Sequence, residues 1–156
     1  MTFSDVQNNF MKTALREAQK AFDEDEVPVG AVIVYDNKII AKGHNQVELL
    51  QDSTAHAEMI AITSAENFLS SKFLNECDIY ITAEPCAMCA GAIILSRLKC
   101  VYFGTFEPKY GAAGSLLNLL ESGKFNFPPK VYSGLLEEES KYLLRNFFDK
   151  KRKNSF

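Results

Sequence analysis

The sequence predicts an α/β fold of three layers (α/β/α), in which helices flank a mixed five-stranded sheet. Strand-like and helix-like segments alternate along a chain of 156 residues, a length that suits one hydrophobic core. An early hairpin supplies antiparallel strands, and a later strand-helix-strand crossover over residues 79–103 supplies parallel ones. We therefore expect residues 1–156 to form a single domain.

Local signals support the first elements. Ser4 or Asp5 can cap the first helix, and turn-forming Asp36-Asn37 joins two hairpin strands. Thr54 is available to cap the second helix. In chain order, the predicted elements are a helix at 5–25, strands at 31–35 and 38–41, a helix at 56–68, a strand at 79–82, a helix at 86–97, strands at 101–103 and 131–133, and a helix at 137–151.

Local signals also support the later elements. Residues 79–82 are β-branched or aromatic and end before Glu84-Pro85, where a proline suits a helix start. Gly104 ends the next strand, and a glycine-rich loop leads to the last strand and the final helix. That helix closes with the basic cluster Lys150-Lys151-Arg152-Lys153, which by itself is typical of a solvated helix end.

Composition excludes several classes of protein. The chain is 47% hydrophobic and 24% charged, which is typical of a globular domain and not of a disordered one. A net charge of −3 argues against indiscriminate nucleic-acid binding and leaves that role to local basic patches. Apolar runs are too short to span a membrane, and the first residues lack a secretion signal. We expect a cytoplasmic protein that does not enter membranes.

His56-Ala57-Glu58 and Pro85-Cys86-Ala87-Met88-Cys89 together predict a catalytic zinc site. His56, Cys86 and Cys89 supply three ligands, and catalytic zinc typically has three protein ligands and an open fourth position. Zinc lowers the pKa of bound water to about 7, so hydroxide is available at neutral pH. Glu58 lies two residues from a ligand and is expected to transfer protons without binding the metal. The pattern predicts hydrolytic deamination.

The remaining cysteines and the other histidine are assigned no chemistry. Cys77 and Cys100 adjoin predicted strands, where a free cysteine commonly packs as a small apolar side chain. Thiolate ligands need a reducing compartment, so disulfides are not expected. His44 falls outside the ligand set and is expected at the rim of the pocket or in solvent.

The sequence also resembles a known family. The H-x-E and P-C-x-x-C pattern is similar to the signature of zinc nucleobase deaminases. Over nearly the whole chain, the sequence resembles the bacterial tRNA adenosine deaminases of the TadA type. The segments that carry this resemblance are Glu26-Val27-Pro28-Val29-Gly30-Ala31-Val32, Asp52-Ser53-Thr54-Ala55-His56-Ala57-Glu58, Glu84-Pro85-Cys86-Ala87-Met88-Cys89-Ala90-Gly91-Ala92, Phe103-Gly104 and Gly111-Ala112-Ala113-Gly114-Ser115-Leu116.

The resemblance implies a cytidine-deaminase-like fold, one Zn²⁺ per chain, and deamination of adenosine to inosine at wobble position 34 of a tRNA anticodon, with release of ammonia. It implies that the partners are the tRNA anticodon stem-loop and a second copy in a homodimer. Glu58 is the implied proton-transfer residue, and the Cys86 backbone is implied to help orient the base. The implied contacts of base or RNA are Val29, Asn45, Ala57, Glu107, Lys109, Phe147, Phe148 and Arg152.

Several of these residues also have meaning outside the resemblance. The Asn45 amide both donates and accepts, which suits a purine edge. Glu107 stands where the family usually has Asp, and Phe106 and Tyr110 make its loop unusually aromatic. Aromatic rings stack on bases at about 1–3 kcal/mol per base, so this loop still favours RNA. In the last helix, we expect one phenylalanine of Phe147-Phe148 in the core and the other exposed.

Two other functions stay open. A deaminase of a free base or nucleoside, such as guanine, cytosine or cytidine, shares the zinc motif and needs no RNA platform. A non-catalytic RNA-binding module stabilised by zinc is disfavoured by Glu58, because a structural site does not need a non-ligand carboxylate beside a ligand.

Overall fold

The computed structural model describes residues 2–154. Its sheet contains the five predicted strands, and the four predicted helices are present together with one additional short helix. In chain order, the elements are α1 (Asp5–Asp23), β1 (Gly30–Tyr35), β2 (Lys38–His44), α2 (Val47–Leu50), α3 (Ala57–Leu69), β3 (Cys77–Ala83), α4 (Ala87–Leu95), β4 (Cys100–Thr105), β5 (Lys130–Ser133) and α5 (Glu137–Lys153).

The sheet is mixed, as predicted, with strand order β2-β1-β3-β4-β5. The hairpin pairs β1 with β2, and β1 is also antiparallel to β3. The crossover through α4 makes β3 parallel to β4, and β4 is parallel to β5. The carboxyl end of β3 therefore leads directly into the segment that carries the cysteine motif.

Alternate residues of the strands face the two helical layers. Ile33, Ile81 and Phe103 belong to a core shared with Ala61 of α3 and Ile93 of α4. The intervening residues pack in a second core, which α1 covers, and α5 packs on the same layer against α1, β3 and β4. Because the side-chain period of a strand is two, each strand contributes to both cores. The predicted three-layer α/β/α fold is confirmed.

Helix ends match the prediction in one case and differ in others. Ser4 caps α1 in a reciprocal capping box with Gln7, as expected. Thr54 does not cap α3, because its hydroxyl donates to Asp52 at 2.8 Å and His56 occupies the N-cap position. Helix α4 ends at Leu95, since Arg97 has a left-handed φ of 59°. The four-residue α2 is too short to show periodicity in the sequence.

None of the helices within residues 2–154 combines the length and apolarity that a membrane span requires.

Candidate active site

The three predicted metal ligands meet where α3 and α4 begin. His56 is the N-cap of α3, Cys86 is the N-cap of α4, and Cys89 lies in the first turn of α4. Both sulfur atoms lie 3.6 Å from Nδ1 of His56, and the three ligand atoms lie within 4.8 Å of one another. The positive ends of two helix dipoles therefore converge on the three ligands and favour the thiolate form of the two cysteines.

This donor set has the dimensions of a tetrahedral zinc site. Zinc binds sulfur at about 2.3 Å and nitrogen at about 2.0 Å, so a tetrahedral angle places the two atoms about 3.5 Å apart. The observed separations of 3.6 Å agree with that value. One imidazole and two thiolates suit zinc, and within the described residues the group holds three ligands rather than four.

The pKa values of the two cysteine thiols shift in opposite directions. Donation by the Cys89 thiol lowers the pKa of Cys86 to about 4, and His56 contributes in the same direction. The same contact, together with burial, raises the pKa of Cys89. With a metal ion bound, both sulfur atoms would be thiolates, because cysteine ligands must be deprotonated.

Glu58 lies beside the ligands and outside their group. It is the second residue of α3 and is 4% exposed. Burial raises its pKa to about 7. A carboxyl group with such a pKa can both accept and release a proton at neutral pH, which is what general acid-base catalysis requires.

A cleft of about 1620 Å³ opens over this group. Its walls include His56, Glu58 and Cys86, while Cys89 is fully buried beneath them. The predicted contact residues that line the cleft are Val29, Asn45, Ala57, Glu107, Lys109, Phe147 and Phe148. Segments from both halves of the chain therefore meet at one opening.

Asn45 faces the cleft with an unused amide. The residue is 8% exposed, and its backbone N–H donates to Val29 O at 3.2 Å. Within residues 2–154, its side-chain amide forms no hydrogen bond. Because the residue lines the cleft, this amide is available to a ligand there.

Helix α5 supplies one wall of the cleft. Phe147 is 5% exposed and Phe148 is 45% exposed, as the sequence led us to expect. The Lys151 ammonium lies 2.7 Å from Asp25 and borders the cleft. Arg152 is absent from the lining, and its guanidinium contacts Asp149 on the same helix. A contact between Arg152 and RNA stays a prediction.

The two remaining cysteines agree with the sequence analysis. His44 lies outside the ligand group, as expected, but it is half-buried and absent from the cleft lining, so its predicted place at the pocket rim or in solvent is wrong. Nε2 of His44 lies 2.9 Å from Glu24, and Nδ1 lies 3.5 Å from Glu17, away from the ligand group. Cys77 and Cys100 are buried free thiols. Burial raises the pKa of each of these thiols to about 11, which keeps them protonated and unreactive.

Two buried carboxylates that support the cleft were not predicted. Glu26 is 1% exposed and accepts hydrogen bonds from the backbone N–H groups of Glu48 and Leu49, at the start of α2. Glu84 is 4% exposed and binds the loop after β4. Their positions, two residues before Pro28 and directly before Pro85, were visible in the sequence, but their partners are 22 to 31 residues away.

The fold and the site together define a class of protein. A mixed sheet with one histidine and two cysteines at helix starts, beside a buried non-ligand glutamate, is the arrangement of a cytidine-deaminase-like hydrolytic deaminase.

Comparison with known proteins identifies the family of this chain within that class. The MafB19-like deaminase profile matches residues 5–152. The tRNA-specific adenosine deaminases of Rickettsia typhi and Bacillus subtilis are each 49% identical over 144 residues, covering 91% and 92% of this chain and 97% and 89% of those proteins. A solved structure from studies of A-to-I editing by tRNA:A34 deaminases at the wobble position of transfer RNA matches with a TM-score of 0.84 and 43% identity, covering 87% of this chain and 99% of that one. The chain belongs to the MafB19-like deaminases and, among them, to the tRNA-specific adenosine deaminases.

Proposed function

We propose that this protein is a zinc-dependent hydrolase that converts adenosine to inosine at wobble position 34 of a tRNA anticodon and releases ammonia. The observation that carries the proposal is the convergence of His56, Cys86 and Cys89 beside buried Glu58. The 49% identity to tRNA-specific adenosine deaminases supports the choice of base and RNA.

His56, Cys86 and Cys89 would hold one Zn²⁺ per chain. When bound, the metal supplies a hydroxide nucleophile by lowering the pKa of water to about 7. The Glu58 carboxylate takes the proton from the attacking water and donates it to N1 of the purine. It then takes the second proton of that water to the departing N6 amine, so adenosine and water yield inosine and ammonia. A pKa near 7 suits both transfers.

Residues of the cleft position the base for this reaction. The unpartnered Asn45 amide hydrogen-bonds the purine, and the backbones of Ala57 and Cys86 help to orient it. Val29 also lines the cleft. The product differs from adenosine in its pairing edge, because an O6 acceptor replaces the N6 donor.

The mouth of the cleft suits an unstacked RNA loop. Tyr110 is 62% exposed, Leu116 is 61% exposed and Phe148 is 45% exposed, and all three border the opening. Such side chains can stack on splayed bases. RNA phosphates are anionic and the net charge of the chain is −3, so binding them requires a local group of basic side chains. We assign that role to Lys109 and the cluster at residues 150–153.

Ammonia release separates RNA editing from deamination of free bases. The zinc-loaded protein is given an anticodon stem-loop with adenosine at position 34, free adenosine, guanine, cytosine or cytidine. We expect rapid release from the stem-loop alone. Faster release from free guanine or cytidine would assign the protein to the free-base or nucleoside deaminases, and no release from any substrate would favour a non-catalytic module.

Replacing Asn45 by alanine is expected to lower kcat/KM for the stem-loop by about 10- to 100-fold, since an amide pair with adenine is worth about 1–3 kcal/mol. Zinc content should not change. The matched control is Asn75→Ala, which removes an exposed amide outside the cleft lining. Equal kcat/KM in wild type and Asn45→Ala would show that Asn45 does not bind the base.

We further propose that the protein is a homodimer that pairs through the outer face of α4. Along this face, Met88, Gly91 and Ala92 are half-buried and Leu95 is 78% exposed, which forms an apolar stripe at helical spacing. A Cβ at Gly91 would meet nothing within 4 Å. Glycine inside a helix is destabilising by about 0.5–1 kcal/mol relative to alanine. The close approach of a second chain explains why glycine is present there.

Gly91→Arg tests this interface. The added side chain has free space in one chain and would clash within the dimer. We expect light scattering to give twice the 17.5 kDa chain mass for the wild type and the single mass for Gly91→Arg. Asn9→Arg, on the exposed face of α1 in the other helical layer, should stay dimeric. A dimeric Gly91→Arg protein would place the interface elsewhere.

Two further proposals follow from the same function. A tRNA substrate and thiolate ligands suit the cytoplasm, where cysteines stay reduced. Residues 1–156 act as a single zinc-dependent deaminase domain, which is supported by the match of one family profile to residues 5–152.

A further inference from the structure

We propose that Glu84 is a positioning residue, which anchors the substrate loop (residues 106–117) to the metal motif. The inference rests on the proposed function, because it concerns how the same cleft holds RNA. Glu84 lies between the end of β3 and ligand Cys86, and it is 4% exposed. A buried carboxylate is strongly destabilising unless its oxygens are satisfied. The substrate loop satisfies them.

Both oxygens of Glu84 accept two hydrogen bonds from the substrate loop. Oε1 accepts from the N–H of Glu107 at 2.9 Å and from the hydroxyl of Ser115. Oε2 accepts from the N–H groups of Ala113 and Ser115, at 2.9 and 3.0 Å. The donors come from both ends of the loop, so one side chain fixes its two ends relative to each other. Hydrogen bonds to an ionised acceptor are the stronger kind.

The loop also closes around this carboxylate. A Cβ on Gly111 would lie 2.3 Å from the carboxyl group of Glu84, so only glycine permits the approach. The next residue ties the loop to the same segment, because Ala112 N–H donates to Pro85 O at 2.8 Å. Gly111 forms an isolated β-bridge with Cys86. The substrate loop is therefore built directly on the metal motif.

The other side of the loop faces the cleft. Glu107, Lys109, Tyr110, Leu116 and Leu117 line the opening. Tyr110 and Leu116 are each more than 60% exposed, at 62% and 61%, so packing does not hold these two side chains. Their placement depends on the backbone, which Glu84 holds from beneath. Glu84 therefore acts on RNA docking through the loop and transfers no proton in the reaction.

Glu84→Gln keeps the size of the side chain and removes two of the four acceptor positions, since the amide NH₂ only donates. We expect the amides of Glu107, Ala113 and Ser115 to exchange with solvent faster, by about tenfold. The KM for the stem-loop should rise by a similar factor, as expected from about 1.4 kcal/mol. The kcat and zinc content should match the wild type. The control is Glu76→Gln, which makes the same charge change at an exposed residue directly before β3. It should alter none of these quantities.

The outcomes distinguish positioning from other roles. Unchanged exchange and KM in Glu84→Gln would overturn the proposal, and so would a fall in kcat at unchanged KM. If Glu84→Gln does not fold or loses zinc, Ser115→Ala decides. That variant removes one of the four hydrogen bonds, so KM should rise about threefold at constant kcat and zinc. A KM equal to that of the wild type would refute the anchoring role.

Amide exchange separates this inference from the proposed function. It needs no substrate and reports the anchoring in any folded, zinc-loaded protein. A wild type that does not edit the stem-loop would refute the proposed function and leave the exchange result standing. A wild type that edits it, with loop exchange unaffected by Glu84→Gln, would refute the anchoring alone.

Discussion

Replacing Glu58 by glutamine is expected to remove nearly all turnover while the fold and the zinc content stay intact. The amide keeps the size of the side chain, but it cannot accept a proton from water and pass it to the purine. General acid-base groups are typically worth about 10²- to 10⁴-fold in rate, so kcat should fall by that factor. Single-turnover deamination of the stem-loop measures the loss, and elemental analysis measures the metal.

The matched control for this variant is Glu66→Gln, which makes the same change two turns further along α3. It should edit at the wild-type rate. Stem-loop affinity should survive in Glu58→Gln, because the base contacts are assigned to other residues. Loss of zinc in Glu58→Gln would instead make Glu58 a ligand and contradict the assigned mechanism.

Cys89→Ala is expected to lower the zinc content from about one ion per chain to nearly none, and to remove activity with it. Cys89 is fully buried and supplies one of the three ligand atoms, so its loss leaves the group with two ligands. Zinc binding contributes to the free energy of folding, so the midpoint temperature of thermal unfolding should also fall. Elemental analysis and calorimetry of the same sample measure both effects.

Cys100→Ala provides the control, since it deletes another buried thiol that lies outside the ligand group. It should keep its zinc and its activity, apart from a small change in stability caused by lost packing. Full zinc occupancy and full activity in Cys89→Ala would remove Cys89 from the site.

The sequence motifs and their periodicity predicted most of the fold and the metal-binding centre of the site. His56 and Cys86 were expected at helix starts, and the parallel crossover from β3 to β4 brings the α4 motif to the end of the sheet. These inferences depend on local periodicity and on connection rules, which a single sequence displays. The ends of α3 and α4 were less accurate, because competing hydrogen bonds such as that between Thr54 and Asp52 decide them.

The long-range contacts that hold the cleft residues in place could not be predicted in the same way. Glu84 and Ser115 are 31 residues apart, and nothing in either local sequence indicates that they bind. The basic cluster at the end of α5 shows the same limit, since consecutive helical residues point about 100° apart. Helix phase turns Lys151 toward the cleft and pairs Arg152 with Asp149. Composition revealed the cluster but not its orientation.

Site-resolved editing of whole tRNA tests the proposed function most directly. A mixture of unmodified tRNA transcripts is incubated with the purified protein and sequenced, with inosine detected as guanosine, beside an identical reaction with Glu58→Gln. We expect conversion only of adenosine at position 34 of the anticodon, and none with the variant. Intact adenosine at that position in every tRNA, from protein that carries one zinc ion per chain, would contradict the proposed function.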